Sequence, residues 1–119
     1  MTLRVKRFYE EPAEEDGERI LVDRIWPRGL SREVARISSW RKDLAPSTAL
    51  RKWFGHDPNV WDEFLEHYRT ELEEAGNLED LRQRGQRATE QNVTLVFAAR
   101  DTEHNNARAL QRFIEELRE

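Results

Sequence analysis

Three segments of this chain carry residue types that could do chemistry, and the first is residues 23–29. Arg24 and Arg28 lie on either side of Trp26, and Asp23 opens the segment. A guanidinium group binds phosphate or carboxylate in a bidentate manner and stacks on aromatic rings, so this spacing favours a pocket for a planar or anionic group. The structural alternative makes Asp23 and Arg24 an ion pair and Trp26 a core residue.

The second segment combines a strand end with the predicted start of a helix. It contains Arg100, Asp101, His104, Asn105 and Asn106. Unpaired backbone N–H groups and the helix dipole favour anions at such a position. His104 could move a proton, with Asp101 to orient it, and the asparagines could supply polar contacts. Capping is the commoner use of a residue like Asp101, but His104 beside two asparagines is a poor helix start, which favours function.

The third segment, residues 44–58, places a histidine in a tight turn. His56 stands in the sequence Gly-His-Asp-Pro beside a carboxylate, and because histidine is the side chain that most readily exchanges a proton at physiological pH, it could act as a general acid or base. It could equally be a histidine at a helix end, stabilised by the dipole. Lys42 would join an anion site if its loop turns inward. Ser47 is explained by helix capping, because no glycine-rich elbow surrounds it.

Several kinds of site are not indicated by the sequence. The three histidines, at positions 56, 67 and 104, have no paired spacing, and there is no cysteine. Neither a Gly-x-Gly-x-x-Gly nor a Walker sequence is present. We therefore predict no metal and no cofactor.

Apolar periodicity and turn residues define the elements that must position these residues. We predict strands over 3–9, 20–22 and 93–98, with an irregular edge strand within 37–45. We predict helices over 31–36 and 47–54, a long helix that Asp57 caps and Gly76 ends, a weaker helix over 78–87 that Gly85 frays, and a last helix over 104–117. The stripe of the long helix consists of Trp61, Phe64, Leu65, Tyr68 and Leu72.

This order of elements predicts an α/β fold, with a single small domain over residues 1–119 and a mixed, mostly parallel sheet flanked by helices. Strands joined by helices run parallel, so the carboxyl ends of the strands before Asp23 and Ala98 should share one edge. Ligands of open α/β sheets collect at that edge. The first two chemical segments should therefore meet there.

Composition restricts the classes of function. The chain has 119 residues with a formal net charge of −4, and 17 of its 20 basic residues are arginine. Residues 19–52 carry a net charge of +6, and all four tryptophans lie between positions 26 and 61. One basic stretch on an acidic chain fits a local anion site better than coating of a long duplex. Codon bias toward arginine is the alternative explanation.

Localisation can be predicted from the same composition. The absence of cysteine fits a reducing cytoplasm. No apolar run has membrane-spanning length, and the start of the sequence lacks the apolar block of a signal peptide. We expect a cytoplasmic protein without membrane contact, and a homodimer would be ordinary for so small a chain.

Several blocks of the sequence closely resemble the YeaO-like bacterial proteins, members of the domain-of-unknown-function family number four hundred and eighty-eight. The resemblance covers nearly the whole chain and implies a small single-domain α/β protein of the bacterial cytoplasm, without implying an activity. It marks the same three segments. The blocks are Val22-Asp23-Arg24-Ile25-Trp26-Pro27-Arg28-Gly29-Leu30, Trp40, Leu44-Ala45-Pro46-Ser47, Leu50-Arg51-Lys52-Trp53-Phe54-Gly55-His56-Asp57 and Asp101-Thr102-Glu103-His104-Asn105-Asn106-Ala107.

Three hypotheses for function follow, and whether the protein is an enzyme stays open. In the first, the protein binds or acts on a small anionic, phosphate- or nucleotide-like ligand. In the second, it binds or modifies nucleic acid, with Trp26, Trp40 or Trp53 stacking on a base. In the third, it is a non-catalytic interaction module.

The first hypothesis assigns a role to each candidate site residue. The residues expected to bind the anion are Arg24, Arg28, Lys42 and Arg100, and those expected to make further contacts with the ligand are Trp26, Asn105 and Asn106. The residues expected to transfer a proton or to orient another group are His56, His104, Asp23 and Asp101.

Overall fold

The computed structural model describes residues 2–118, in which four strands form one parallel sheet. The strands are β1 (Leu3–Arg7), β2 (Glu18–Leu21), β3 (Ser39–Trp40) and β4 (Val93–Phe97). They lie in the order β1-β4-β2-β3, and every neighbouring pair is parallel. The α/β prediction is confirmed, and the sheet is more uniformly parallel than the sequence required.

Five α-helices connect or follow these strands, and their bounds agree closely with the periodic segments of the sequence. One short helix lies between β2 and β3, three lie between β3 and β4, and one follows β4. They are α1 (Arg32–Ala35), α2 (Thr48–Phe54), α3 (Trp61–Glu74), α4 (Leu78–Arg87) and α5 (Asn106–Leu117).

The core is divided between the two faces of the sheet, because successive side chains of a strand point to opposite faces. Leu95 and Phe97 of β4 belong to the larger cluster, together with the buried residues of α2 to α5. Val96 belongs to the smaller cluster, against which Trp26 and Trp40 pack. All five residues of β4 are buried, so the predicted central strand is confirmed.

The helix caps that the sequence predicted for the two short helices are present. The Ser31 hydroxyl accepts a hydrogen bond from the Val34 N–H at 3.2 Å, and the Ser47 hydroxyl accepts one from the Leu50 N–H at 3.1 Å. Gly55 ends α2 in the left-handed conformation, with φ of 52°. These contacts satisfy N–H and C=O groups that a helix end leaves unpaired.

Two helices begin later than predicted. Asp57 caps a 3₁₀ turn, Pro58–Val60, which leads into α3 at Trp61. The last helix begins at Asn106 instead of residue 104, because Asn105 is extended and caps it by accepting a hydrogen bond from the Arg108 N–H at 2.9 Å. The residues before it form a separate turn.

The prediction that Gly85 frays the end of its helix is wrong. Gly85 is buried inside α4, where a Cβ atom would lie 2.8 Å from the Arg118 side chain and 3.0 Å from Ile114. The absent side chain lets α4 and α5 pack closely. The glycine is thus a packing residue, and a propensity argument could not distinguish this from an end signal.

Within residues 2–118, no helix is long and apolar enough to cross a lipid bilayer.

Candidate functional site

A cavity of about 290 Å³ opens at the carboxyl ends of β2 and β4. The segment after β2, the end of α2 and the first turn of α5 enclose it. This is the edge at which parallel α/β sheets bind their ligands. Its polar lining consists of Asp23, Arg24, Arg51, His56, Asn105 and Asn106, and its apolar lining of Ile25, Ala45, Pro46, Phe54, Phe64, Ala98 and Ala99.

Asp23 anchors the sheet side of the cavity. One carboxylate oxygen accepts a hydrogen bond from the Ala98 N–H at 3.0 Å, and the other accepts one from the Asn106 amide at 3.1 Å. The first bond joins the end of β2 to the end of β4, as the parallel arrangement predicted. Burial raises the pKa of Asp23 above its ordinary value, although these two bonds and the charges of Arg51 and His56 act against the rise.

Asn106 holds the start of α5 against the sheet. Its amide group donates to the Val22 carbonyl at 2.7 Å and to the Asp23 carboxylate. Because both amide protons are used, its side-chain oxygen remains an acceptor. Asn105 is buried beside it and donates to the Asp101 carbonyl at 2.9 Å.

The Arg24 side chain is held in place by neutral groups, so its positive charge is not neutralised by a carboxylate. Its guanidinium donates to the Pro46 carbonyl at 3.1 Å and to the Ala45 carbonyl at 3.3 Å, which are neutral acceptors. Among residues 2–118 the ion pairs include none between Asp23 and Arg24, so the structural alternative for this dipeptide is not the arrangement observed.

Arg51 and His56 lie on the exposed side of the cavity, and Arg51 brings a positive charge there. Arg51 is exposed in the last turn of α2, and His56 is exposed just after it. His56 has φ of 58°, which continues the left-handed turn begun at Gly55. Both residues line the same cavity as Asp23.

Asp101 and His104 form a pair outside the cavity lining. The Asp101 carboxylate accepts from the backbone N–H groups of Glu103 and His104 and contacts His104 Nδ1 at 3.1 Å. The Glu103 N–H above all, and then His104, lower the pKa of Asp101. The His104 ring packs edge-on against Trp61, with 5.3 Å between ring centres. Asp101 therefore organises the turn before α5 and contacts the His104 ring, and neither residue lines the cavity.

Four other predicted contact residues also lie outside the lining. Arg28 and Arg100 are exposed. Lys42 lies over the ring of Trp40, with its amine 4.8 Å from the ring centre. The Trp26 indole donates to the Leu30 carbonyl at 2.9 Å and packs on the smaller core cluster.

Sequence reasoning missed Arg51 as a site residue. It belongs to the block from Leu50 to Asp57 that carries the family resemblance, and it precedes His56 in the segment selected for chemistry. An arginine in the last turn of a short helix interacts favourably with the helix dipole. Because this interaction already explained the presence of Arg51, its possible role in binding a ligand was overlooked. The block itself was the signal that could have identified it.

Comparison with known proteins decides the family. A model described as the inactive DUF488-N3 subclade matches residues 2–119. The chain belongs to the DUF488 family.

Relatives of this DUF488 protein match over almost their full lengths. An uncharacterised protein of Mycobacterium tuberculosis is 40% identical over 112 residues, which is 94% of this chain and 92% of the relative. The uncharacterised protein YeaO of Escherichia coli is 36% identical over 121 residues, which is 98% of this chain and all of YeaO. The YeaO-like resemblance is thereby confirmed. No solved structure matches the chain significantly.

Proposed function

We propose that this DUF488 protein binds a small anionic ligand, phosphate-like or nucleotide-like, in the cavity at the ends of β2 and β4. The observation that carries the proposal is the presence of two arginines, Arg24 and Arg51, on one cavity lining. With His56 beside them and Asp23 as the only lining carboxylate among residues 2–118, the lining is net positive. The whole chain has a net charge of −4.

The two arginines differ in how they are held: the side chain of Arg24 is fixed, and that of Arg51 is exposed. Arg24 is held by two carbonyls, so it is preorganised to meet an anion at little entropic cost. Arg51 is exposed, and it would close over the ligand. The cavity volume lies at the lower end of the range of about 300–1,000 Å³ for small-molecule pockets, which limits the ligand to the size of a mononucleotide.

Binding without turnover is the form of this function that we favour. The family model is described as inactive. The Asp101–His104 pair, which has the composition of a proton-transfer dyad, lies outside the cavity lining. His56 is then a charge contact for the ligand. We also propose a cytoplasmic location, supported by the absence of cysteine.

The experiment compares Arg51→Met with Arg100→Met by calorimetric titration with inorganic phosphate and with adenosine 5′-monophosphate. Both arginines are exposed, so neither change should disturb folding. We expect the Arg51 variant to raise Kd at least about tenfold, the usual effect of losing one hydrogen bond to a charged group. The Arg100 variant should bind like the unmodified protein. Equal affinities in all three proteins would overturn the proposal.

A second candidate function, binding of single-stranded nucleic acid, is favoured by one observation. Trp53 exposes 48% of its surface on α2, where it follows Lys52. An exposed indole beside a cation can stack on a base. Binding of an oligothymidine that falls steeply with salt and is lost in Trp53→Ala would support this candidate, and the absence of a shift at low salt would remove it.

A further inference from the structure

The inner side of the cavity presents hydrogen-bond acceptors. The Asn106 side-chain oxygen has no partner among residues 2–118, since both amide protons of that residue are directed to Val22 and Asp23. This assignment of the amide is fixed by its neighbours, because a carbonyl and a carboxylate both require a donor. The oxygen is thus a true acceptor at the start of α5.

The Asp23 carboxylate has acceptor capacity left over. Each of its oxygens receives one hydrogen bond, from Ala98 and from Asn106, whereas a carboxylate can accept about four. None of the ion pairs among residues 2–118 includes Asp23. Burial raises its pKa and the charges of Arg51 and His56 act against the rise, but neither residue is in an ion pair with it. An unpaired carboxylate at a cavity wall is costly unless something binds it.

The apolar part of the lining increases the cost of leaving the Asp23 carboxylate without hydrogen bonds. Phe54 and Phe64 are 5% and 1% exposed, and both line the cavity with Ala98 and Ala99. A ligand seated there displaces water from Asp23, so the carboxylate must recover its hydrogen bonds from the ligand. An anion without an O–H or N–H group offers only more acceptors, and it cannot do this.

We infer that the ligand carries an N–H donor as well as an anionic group, with the donor bound by Asp23 and Asn106 and the anion bound by Arg24 and Arg51. The inference rests on the proposed function and specifies its ligand class. The same cavity lining thus offers acceptors, on Asp23 and Asn106, and cations, on Arg24 and Arg51. A molecule with a donor at one end and a phosphate at the other matches both. An ammonium group and the amino edge of a nucleobase share this chemistry.

The test uses two pairs of ligands that differ only in the donor. Phosphoethanolamine is compared with ethyl phosphate, and adenosine 5′-monophosphate with purine riboside 5′-monophosphate, whose base has no N–H donor, in calorimetric titrations of the unmodified protein. In at least one pair we expect the donor-bearing member to bind at least about tenfold more tightly, because a charged acceptor left unpaired costs that much. A preference in the first pair indicates an ammonium ligand, and a preference in the second pair indicates a nucleobase ligand.

Asp23→Asn supplies a second measurement, with Asp62→Asn on the exposed side of α3 as the matched control. We expect the Asp23 variant to lose the preference for the donor, with a Kd ratio near one, and to bind inorganic phosphate at least as tightly as before. If Asp23 had only a structural role, the variant would bind both ligands of a pair, and phosphate as well, more weakly than the unmodified protein does. The Asp62 variant should keep the preference.

The outcomes separate the inference from the proposed function. If neither pair shows a preference in the unmodified protein while phosphate still binds through Arg51, the inference is wrong and the anion site stands. If none of the phosphate ligands binds, both are wrong. A donor preference that persists in Asp23→Asn would also overturn the inference, since another group must then bind the donor.

Discussion

Two aspartates, Asp16 and Asp23, illustrate how neighbouring residues decide the state of a carboxyl group. Asp16 is 2% exposed and accepts from Lys6, Arg19 and the Ala13 N–H. Burial acts to raise the pKa of Asp16, but these partners outweigh it and leave the pKa below its ordinary value. Asp23 has no such cation in contact, and burial leaves its pKa raised. The first is a structural group, and the second is the group that we propose binds a ligand.

Asp23→Asn should gain stability relative to the unmodified protein as the pH rises. A pKa that is raised on folding gives stability that is present at low pH and lost as the carboxyl ionises in the folded state. The variant has no such loss. Urea unfolding at pH 3 and pH 7 should therefore give a difference in free energy of unfolding, variant minus unmodified, that is more positive at pH 7. A constant difference would contradict the raised pKa.

Asp16→Asn should show the opposite dependence. Removing this carboxylate leaves the Arg19 guanidinium buried without its partner, and we expect a loss of about 3 kcal/mol at pH 7. Because the pKa of Asp16 is lowered on folding, its contribution disappears as the pH falls below about 4. The same urea titrations measure both variants, and a deficit that did not shrink in acid would count against the ion pair as its cause.

At the level of elements, the site depends on how β2 is brought alongside β4. The connection from β1 passes through a 3₁₀ turn, Glu14–Asp16, and reaches β2 through Gly17. Gly17 has φ of 65°, and a Cβ atom there would lie 2.1 Å from the Asn92 carbonyl oxygen. Only glycine lets the backbone of β2 enter beside that of β4. The position of Asp23, at the far end of β2, follows from this entry.

Gly17→Ala should destabilise the protein more than Gly76→Ala does. Both glycines have positive φ, but at Gly76 nothing lies within 4 Å of the position of a Cβ atom. The Gly76 change therefore measures backbone strain alone, which we expect to cost about 1 kcal/mol. The Gly17 change adds a clash with backbone, and we expect at least about 2 kcal/mol more. Chemical denaturation of both variants measures the difference, and equal losses would show that β2 adjusts freely.

At the scale of the whole molecule, charge is separated between the cavity and the remaining surface. The acidic residues of α3 and of the 10–18 segment make the chain net negative, while the cavity lining is net positive. Many other arginines are paired with acids, as Arg41 is with Asp43 and Asp80. Arg24 and Arg51 are not in ion pairs among residues 2–118, and both lie on the cavity lining, where we propose that the anion binds.

Ligand binding should stabilise the whole domain. A ligand at about one hundred times its Kd that binds only the folded state adds about 2.7 kcal/mol to the free energy of unfolding. We expect this gain in urea unfolding with phosphate at that concentration, and none with chloride at equal ionic strength. Arg51→Met at the same phosphate concentration should show a smaller gain. A gain of the same size with chloride would indicate a general salt effect instead.

Most of the elements could be predicted from the sequence because their signals are local. Apolar spacing indicated the long helix α3, and an uninterrupted apolar run indicated the central strand β4. The starts of α3 and α5 were harder to predict, since Asp57 caps a 3₁₀ turn before α3, and α5 is capped by Asn105, which the sequence suggested as a ligand contact. Gly85 was misjudged because its reason lies in another helix.

The candidate site was predictable only in outline. The parallel arrangement brought Asp23 beside the end of β4, and the structure places Arg24, His56, Asn105 and Asn106 on the same cavity. Arg28, Lys42, Arg100 and Trp26 had equally suitable chemistry but lie elsewhere. Residue type and sequence position do not show the direction in which a loop side chain points.

By itself, the sequence determined the α/β class, the helix and strand segments, and the edge of the sheet at which chemistry should collect. The helix and strand segments follow from periodicity, which is visible within short stretches of sequence. The edge of the sheet follows from a general rule for the connections between parallel strands. Only the tertiary structure decided which charges remain unpaired. Arg24 meets carbonyls, Asp23 meets N–H groups and Arg51 turns toward the same cavity because segments distant in the chain pack together there.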